Sequence, residues 1–522
     1  MYDFVVVGAG SAGCVLAARL SEDPSCKVLL LEAGPADRKL EIRIPAAFNK
    51  LFKTRYDWAY ETEPQAELDE RALFWPRGKT LGGSSSLNAQ MYVRGNRLDY
   101  DAWAERGNPG WGYDDVLPYF RRSENFERGA TAERGSGGPL NVAELRDPNP
   151  TTLAFLEAAQ EAGIPRADDV NGPTQDGVAP TQVTQKRGRR WSAADAYLRP
   201  ARKRRNLVVE TGAAVSRIVL DGTRAVAVEY VVDGQPRRAD AVGEVVVSGG
   251  AINSPQLLML SGIGPADHLQ SFGIPVAQDL AGVGQNLLDH LAVVNVVHSR
   301  EPVTLAAAES IPNVARFLVA GRGMLTSNIA EAAGFVRSDP QLPAPDLEIV
   351  FAPVPFLDHG LAPPPGHGIT VGAVALQPHS VGAISLRSAD PAQSPRIEPG
   401  YLSDDDGADL RVLVEGLKLT QRILDAPALA RYAGEPMVPA TRLTRDDEFA
   451  EHVRRYAESL YHPVGTCRMG TDDGAVVDPD LRVHGIDRLR VVDASVMPTI
   501  PRGHTHASTV MIAEKASDLL RA

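Results

Sequence analysis

Cysteine is almost missing. Cys14, Cys26 and Cys467 are all that 522 residues contain, an odd number without a pairing pattern, which excludes a disulfide framework and points to a reducing compartment. No apolar run approaches the roughly 18 to 20 residues that a membrane span requires. No basic segment precedes the first strand-like run, MYDFVVV, so no secretory leader is expected. Net positive charge is also missing: the chain carries −12 with both signs interspersed, which argues against a nucleic-acid or anionic-membrane surface, since either needs a basic face. The one basic cluster, Lys186 to Arg190 with Arg202 to Arg205, reads as a solvated face. These absences describe a cytoplasmic protein with no nucleic-acid partner and no membrane span. Histidine is scarce as well, with 11 residues in the whole chain. Three of them, His462, His504 and His506, nevertheless fall in two short Gly-flanked segments, YHPVGTCRMG and PRGHTHAST.

What is present begins with a nucleotide signature. The run DFVVV ends at Gly8-Ala9-Gly10-Ser11-Ala12-Gly13, residues 12 to 21 have helical spacing, and KVLLLE follows as a second buried strand closed by Glu32. A G-x-G-x-x-G between strand and helix lets a pyrophosphate approach the helix N-terminus, whose free N–H groups and dipole favour an anion. Glu32 is placed to accept hydrogen bonds from a ribose, and its charge disfavours a 2′-phosphate. The motif alone does not separate NAD from FAD.

Further on, residues 206 to 219, 225 to 233 and 237 to 248 read as strands, residues 292 to 400 as proline-broken antiparallel strands, and residues 407 to 459 as helical. Residues 489 to 520 return to strand, loop and helix in the style of the first segment. The expected class is α/β, a Rossmann-like domain built from 1–155, 200–290 and 460–522. Residues 156–199 and 291–459 form an inserted antiparallel-sheet (α+β) domain.

RGKTLGGSSSLNAQMYVRG at 77–95, GAINSPQLLMLSGIG at 250–264, GVGQNLLDHL at 282–291 and RVVDASVMP at 490–498, with GAGSAG and the two histidine segments, resemble the glucose-methanol-choline (GMC) family of FAD-dependent oxidoreductases, on its alcohol oxidase and choline dehydrogenase-like side. The segments run in family order over essentially the whole chain. The resemblance implies that the first domain binds FAD and the inserted one binds substrate. Gly8, Gly10, Ser11, Ala12, Gly13 and Glu32 would hold the adenosine diphosphate half, with the Val215 backbone at the adenine. Gly82, Gly83 and Asn88 would lie along the flavin and ribityl chain, and Asp493 and Ala494 at the diphosphate-ribityl region. Some relatives carry a flavin-bonded histidine where this chain has Leu87, so FAD is expected to be non-covalent.

The histidines then acquire roles. Their spacing matches no metal-ligand pattern, and no metal site is expected. By resemblance His462 is the base and His504 fills a position that relatives occupy with His or Asn. Oxidation of an alcohol, expected to be primary, needs loss of the hydroxyl proton, which a neutral imidazole can accept, and passage of hydride to flavin N5. Oxygen or another acceptor would then reoxidise the flavin. His506 falls where many relatives have asparagine and is expected to contact the flavin or the backbone. Tyr92, Phe351, Phe356 and Tyr461 are candidate walls of the alcohol pocket. The alternative within the same fold is a hydroxynitrile lyase, in which FAD is structural and the histidines perform acid-base cleavage.

Overall fold

The computed structural model describes residues 1–363 and 365–521. The chain opens with β1 (Tyr2–Val7), α1 (Ser11–Leu20) and β2 (Val28–Glu32) and, after a stretch that includes the helices Arg97–Glu105 and Tyr113–Ser123, forms α2 (Pro150–Glu161) and β3 (Gly177–Pro180). Then follow β4 (Leu207–Thr211), β5 (Ala214–Asp221), β6 (Arg224–Val232), β7 (Gln235–Val247) and α3 (Gly250–Leu260). The inserted part contains β8 (Leu291–Ser299), α4 (Ile311–Ala320), β9 (Ala332–Val336), β10 (Leu347–Ala352), β11 (Gly368–Ala375), α5 (Ala408–Leu424), β12 (Ala433–Val438) and α6 (Asp446–Tyr456). β13 (Leu489–Val491) and α7 (Thr505–Leu519) close the chain.

Two seven-stranded sheets carry the architecture. The first has the order β4-β2-β1-β7-β6-β5, with β13 also paired to β7. Its β4, β2, β1, β7 and β13 are parallel, whereas β7, β6 and β5 form an antiparallel meander. All five residues of β2 are buried, as a parallel strand covered on both faces requires. α1 is buried except at Ser11 and Arg19, and α7 packs on it. An all-round apolar helix such as α1 is a core helix, and each fully buried Val or Leu there contributes about 1.5–3 kcal/mol.

The second sheet, β12-β8-β11-β10-β9-β3, is antiparallel throughout. Its register sets one row as Ala292–Val374–Glu348 and the next as Val294–Gly372–Val350. One expectation changes here. Residues 407–459 are not wholly helical, because Ala433–Val438 adds an edge strand to β8 and Glu458–Ser459 pairs with its start. Gly434 and Pro436 mask that strand in the sequence, and an edge position is where a sheet tolerates proline.

Candidate active site

A cavity of about 840 Å³ runs between the two sheets, from Ala213–Val215 at one end to the histidines at the other. Its floor is the Gly-rich turn. Gly8 has φ +98°, and a Cβ there would sink into the Ser248 carbonyl oxygen; a Cβ on Gly83 would stand 2.7 Å from Gly10 Cα. The two turns are also tied by the Gly82 N–H donating to Ala9 O at 2.8 Å. Gly13 does not line the cavity but lets α1 close on the Gly8 carbonyl. The cradle is therefore a place where side chains are excluded and backbone can lie against a ligand.

Glu32 lies at the cavity with both oxygens engaged, Oε2 by Ala9 N–H at 2.9 Å and Oε1 by Gly34 N–H at 2.8 Å. Burial raises its pKa to about 7 against the pull of those two donors. Asp493 also borders the cavity, but its carboxylate is fully used within the chain. Gly250 N–H and Ser254 Oγ donate to Oδ2, and Ser495 N–H and Oγ donate to Oδ1. It fixes the start of α3 and leaves Ala494 as the neighbour facing the cavity. Ser11, Ala12, Asn88 and Val215 line it too, and Leu87 offers no nucleophile.

His506, in the first turn of α7, meets Ser11 Oγ through Nδ1 at 3.0 Å, so it joins the N-termini of α7 and α1. Burial, with Arg190 nearby, depresses its pKa to about 4, so the ring is neutral. Its Nε2 and the Ser248 Oγ are buried without a partner, and both residues line the cavity. Unpaired polar atoms in such a place call for polar groups of a ligand. The glycine cradle, the acid at the end of β2 and these two atoms fit a dinucleotide.

Arg190, expected on a solvated face, is instead buried beneath the GGSSSLN segment. It donates to Ile42 O, Ser85 O and Asn88 Oδ1. Burial lowers its pKa to about 9. Asn88 is thus held by an arginine that follows it by a hundred residues.

At the other end, His462 and His504 face one another with ring centroids 4.8 Å apart. Asp289 holds the His462 backbone: it accepts from His462 N–H at 2.6 Å, Ser459 Oγ at 2.6 Å and Tyr401 Oη at 2.5 Å, and burial lifts its pKa to about 6. Tyr461 sits at φ +65°, a left-handed backbone that a bulky residue adopts only where its surroundings enforce it. Its carbonyl accepts from Arg77 and its hydroxyl is paired with His359 Nδ1 at 2.5 Å.

His290, whose role no local sequence signal announces, completes the site. Its Nδ1 lies 3.0 Å from His462 Nδ1, and its Nε2 lies 3.2 Å from the Leu376 carbonyl oxygen. A carbonyl can only accept, so His290 Nε2 carries the proton. Burial keeps the ring neutral, with its pKa pushed down to about 3, which leaves a lone pair on Nδ1. His462 Nδ1 must then be the donor, and its lone pair is on Nε2. His290 and Leu376 lie just beyond the end of the ladder, whose last pair is Ala292 with Val374. The hydrogen bond of His290 to the Leu376 carbonyl, at the end of β8 and β11, thus selects the tautomer of His462. Burial, with His504 and His290 adding to it, holds the His462 pKa well below the usual imidazole range, so the ring is a neutral base. His504 meets Glu348 Oε1 through Nε2 at 3.0 Å, and Glu348 is fully buried with Oε2 unpaired. Glu348 belongs to the Ala292–Val374 row, which therefore carries the acid partner of His504.

Of the four expected pocket aromatics, Phe356 and Tyr461 line the cavity and two do not. Phe351 stacks on Phe155 of α2 at 4.6 Å. Alternation on β10 turns Val350 and Ala352 to the cavity instead. Tyr92 is buried on the far side, accepting from Arg94 Nε at 3.1 Å, while its neighbours Gln90 and Met91 reach the cavity.

Comparison with known proteins follows the same lines. The family model described as GMC oxidoreductase matches residues 2–292 and 378–513. The mitochondrial choline dehydrogenase of Homo sapiens is 48% identical over 100% of this chain and 90% of its own length. The alcohol dehydrogenase [acceptor] of Pseudomonas putida is 44% identical over 100% and 96%. Among solved structures, pyridoxine 4-oxidase from Mesorbium loti matches with a TM-score of 0.91 at 34% identity, covering 99% of each chain.

Proposed function

The chain belongs to the GMC oxidoreductase family, with FAD as its cofactor, and from that premise we propose that it oxidises an alcohol to the carbonyl compound with His462 as base. The observation that carries this reading is the relay from Leu376 O through His290 to His462. It delivers a neutral imidazole with its Nε2 lone pair free, beside a second histidine, at the cavity. Gly8, Gly10, Ser11, Ala12, Glu32, Gly83, Asn88, Val215, Ala494 and His506 would hold FAD non-covalently. Bound there, FAD supplies the two-electron acceptor for the carbinol carbon.

The protein's own part is proton handling and positioning. The substrate hydroxyl hydrogen-bonds to His462 Nε2, which takes the proton as the carbonyl forms. His504 orients the same oxygen, and the buried Glu348 carboxyl beside it fixes that ring. Ala292, Val294, Val350 and Gly372 give the substrate side an apolar, small-residue wall. The names of the two curated relatives, which act on choline and on alcohols, support a hydroxyl-bearing small molecule. The test is anaerobic addition of a panel of primary alcohols to the yellow holoenzyme. The reading expects the flavin absorbance to bleach with at least one of them, with oxygen or a quinone restoring it. A flavin that stays oxidised with every alcohol, while a cyanohydrin is cleaved, would overturn it.

The relay makes its own prediction. His290→Leu removes the acceptor for His462 Nδ1–H, and the reduction rate constant is expected to fall about 10- to 100-fold as the base loses its preferred tautomer. His290→Asn, whose amide oxygen can stand where Nδ1 stood, should retain most of the rate. Stopped-flow absorbance on both variants, each with FAD bound, separates the two outcomes.

A further inference from the structure

We infer that α4 is a lipid-docking helix that seats this protein on an anionic membrane surface. The helix, IPNVARFLVA, is inverted relative to an ordinary surface helix. Its one fully buried side chain is Phe317, while Ile311 is 86%, Val319 90%, Leu318 51% and Val314 36% exposed. Four of the thirteen strongly exposed large apolar side chains among the described residues therefore stand on ten residues. That is a patch, not the ordinary scatter. At about 100° per residue, Val314, Leu318, Ile311, Ala315 and Val319 occupy one outward arc of roughly 140°. The helix's single charge, Arg316, lies on the flank of that arc.

The surroundings supply the charge that selects the partner. The hairpin carrying Lys186, Arg187 and Arg189 turns against the C-terminal end of α4, with Gly188 packed on Gly321. Arg322 follows the helix and donates to Asp147 and to the Arg146 carbonyl. Arg146, Lys186, Arg187, Arg189, Arg316 and Arg322 are all exposed, and Asp147 is the carboxylate shared by Arg322 and Arg316. Six cations gather here around Asp147, while the nearby Glu309 and Glu144 are paired with Lys50 and Arg128, in a chain whose net charge is −12. The basic face that the overall charge argued against is thus assembled locally, from segments more than a hundred residues apart.

An apolar arc flanked by arginine and lysine matches an interfacial helix on acidic headgroups. A second copy docked symmetrically on this face would set the same cations against one another, and a nucleic acid would leave the apolar arc without purpose. The placement also has a consequence. Phe317 belongs to a small cluster with Leu305 and Leu325 beneath α4, Ile329 packs against that cluster, and Ile329 lines the cavity. The cluster beneath α4 thus extends to a residue of the cavity wall.

Flotation of the holoenzyme with large unilamellar vesicles tests the inference. With phosphatidylcholine alone little protein should float, whereas vesicles holding about 30 mol% phosphatidylglycerol should carry it, and 0.5 M salt should weaken but not abolish that binding. The I311D/V319D variant is expected to lose at least about tenfold in vesicle affinity, and R187E/R189E to lose the preference for anionic lipid. Both should turn over a water-soluble alcohol with a soluble acceptor as the parent does. Failure of the parent to float on anionic vesicles would overturn the inference. So would equal flotation of I311D/V319D, or a dimer in light scattering that this variant dissolves.

Discussion

His462→Ala is expected to slow anaerobic flavin reduction about 10²- to 10⁴-fold while the purified protein remains fully loaded with FAD. The size follows from the site. His462 is the residue whose lone pair the Leu376–His290 relay directs, and His504 is committed through Nε2 to Glu348 and cannot take over with the same geometry. Retention of FAD follows from the separation of the two ends of the cavity. The cradle is built from Gly8, Gly83 and the N-termini of α1 and α7, and none of these leans on the His462 ring. Flavin absorbance per protein gives the loading, and stopped-flow reduction by the best alcohol gives the rate. An unchanged reduction rate would remove His462 from the role of base.

Gly8→Ala is expected to yield colourless apoprotein. At φ +98° the added methyl is strained, at about 1–3 kcal/mol, and it is driven into the Ser248 carbonyl, itself backbone and unable to swing away. Moving Ser248 displaces the end of β7, and with it the wall opposite the Gly-rich turn. Each 1.4 kcal/mol is a factor of about ten in affinity, so the strain alone should lower FAD affinity by about 5- to 100-fold, with the displaced Ser248 adding to the loss. Gly222→Ala is the matched control: Gly222 also has positive φ, at +59°, but nothing stands within 4 Å of its Cβ. That variant should purify yellow, with a small loss of stability only. Titration of each apoprotein with FAD, followed by tryptophan quenching, measures the difference without any turnover.

The features that could be read from the sequence are those whose cause is local. GAGSAG demands glycine because of its own turn, and the flanking VVV and VLLL runs announce buried parallel strands without reference to the rest of the chain. Where the cause is a contact across the fold, reading falters. FAPVPF contains two aromatics, but prolines interrupt the alternation, and only the pairing of β10 with β9 and β11 decides that Val350 and Ala352, not Phe351, see the cavity. His290 lies in GVGQNLLDHL, where nothing local gives it a role. Its meaning depends on Leu376 and His462, 86 and 172 residues away. Arg190 looked like one more surface cation because burial is invisible in a run of basic residues. IPNVARFLVA, conversely, has the composition of a core helix, and nothing in its letters says that it lies outside.

The pairing of the two ends of the chain bears on when the site can exist at all. β1 needs β7, β7 needs β13, and α1 is clamped to α7 by Arg19 and Glu514 across 495 residues. Ser11, near the start, waits for His506, near the finish. During synthesis at about 5–20 residues per second, the first strand and helix therefore spend tens of seconds outside the ribosome without their final neighbours. The cradle is complete only once α7 has reached α1, because His506 of α7 is the partner of Ser11.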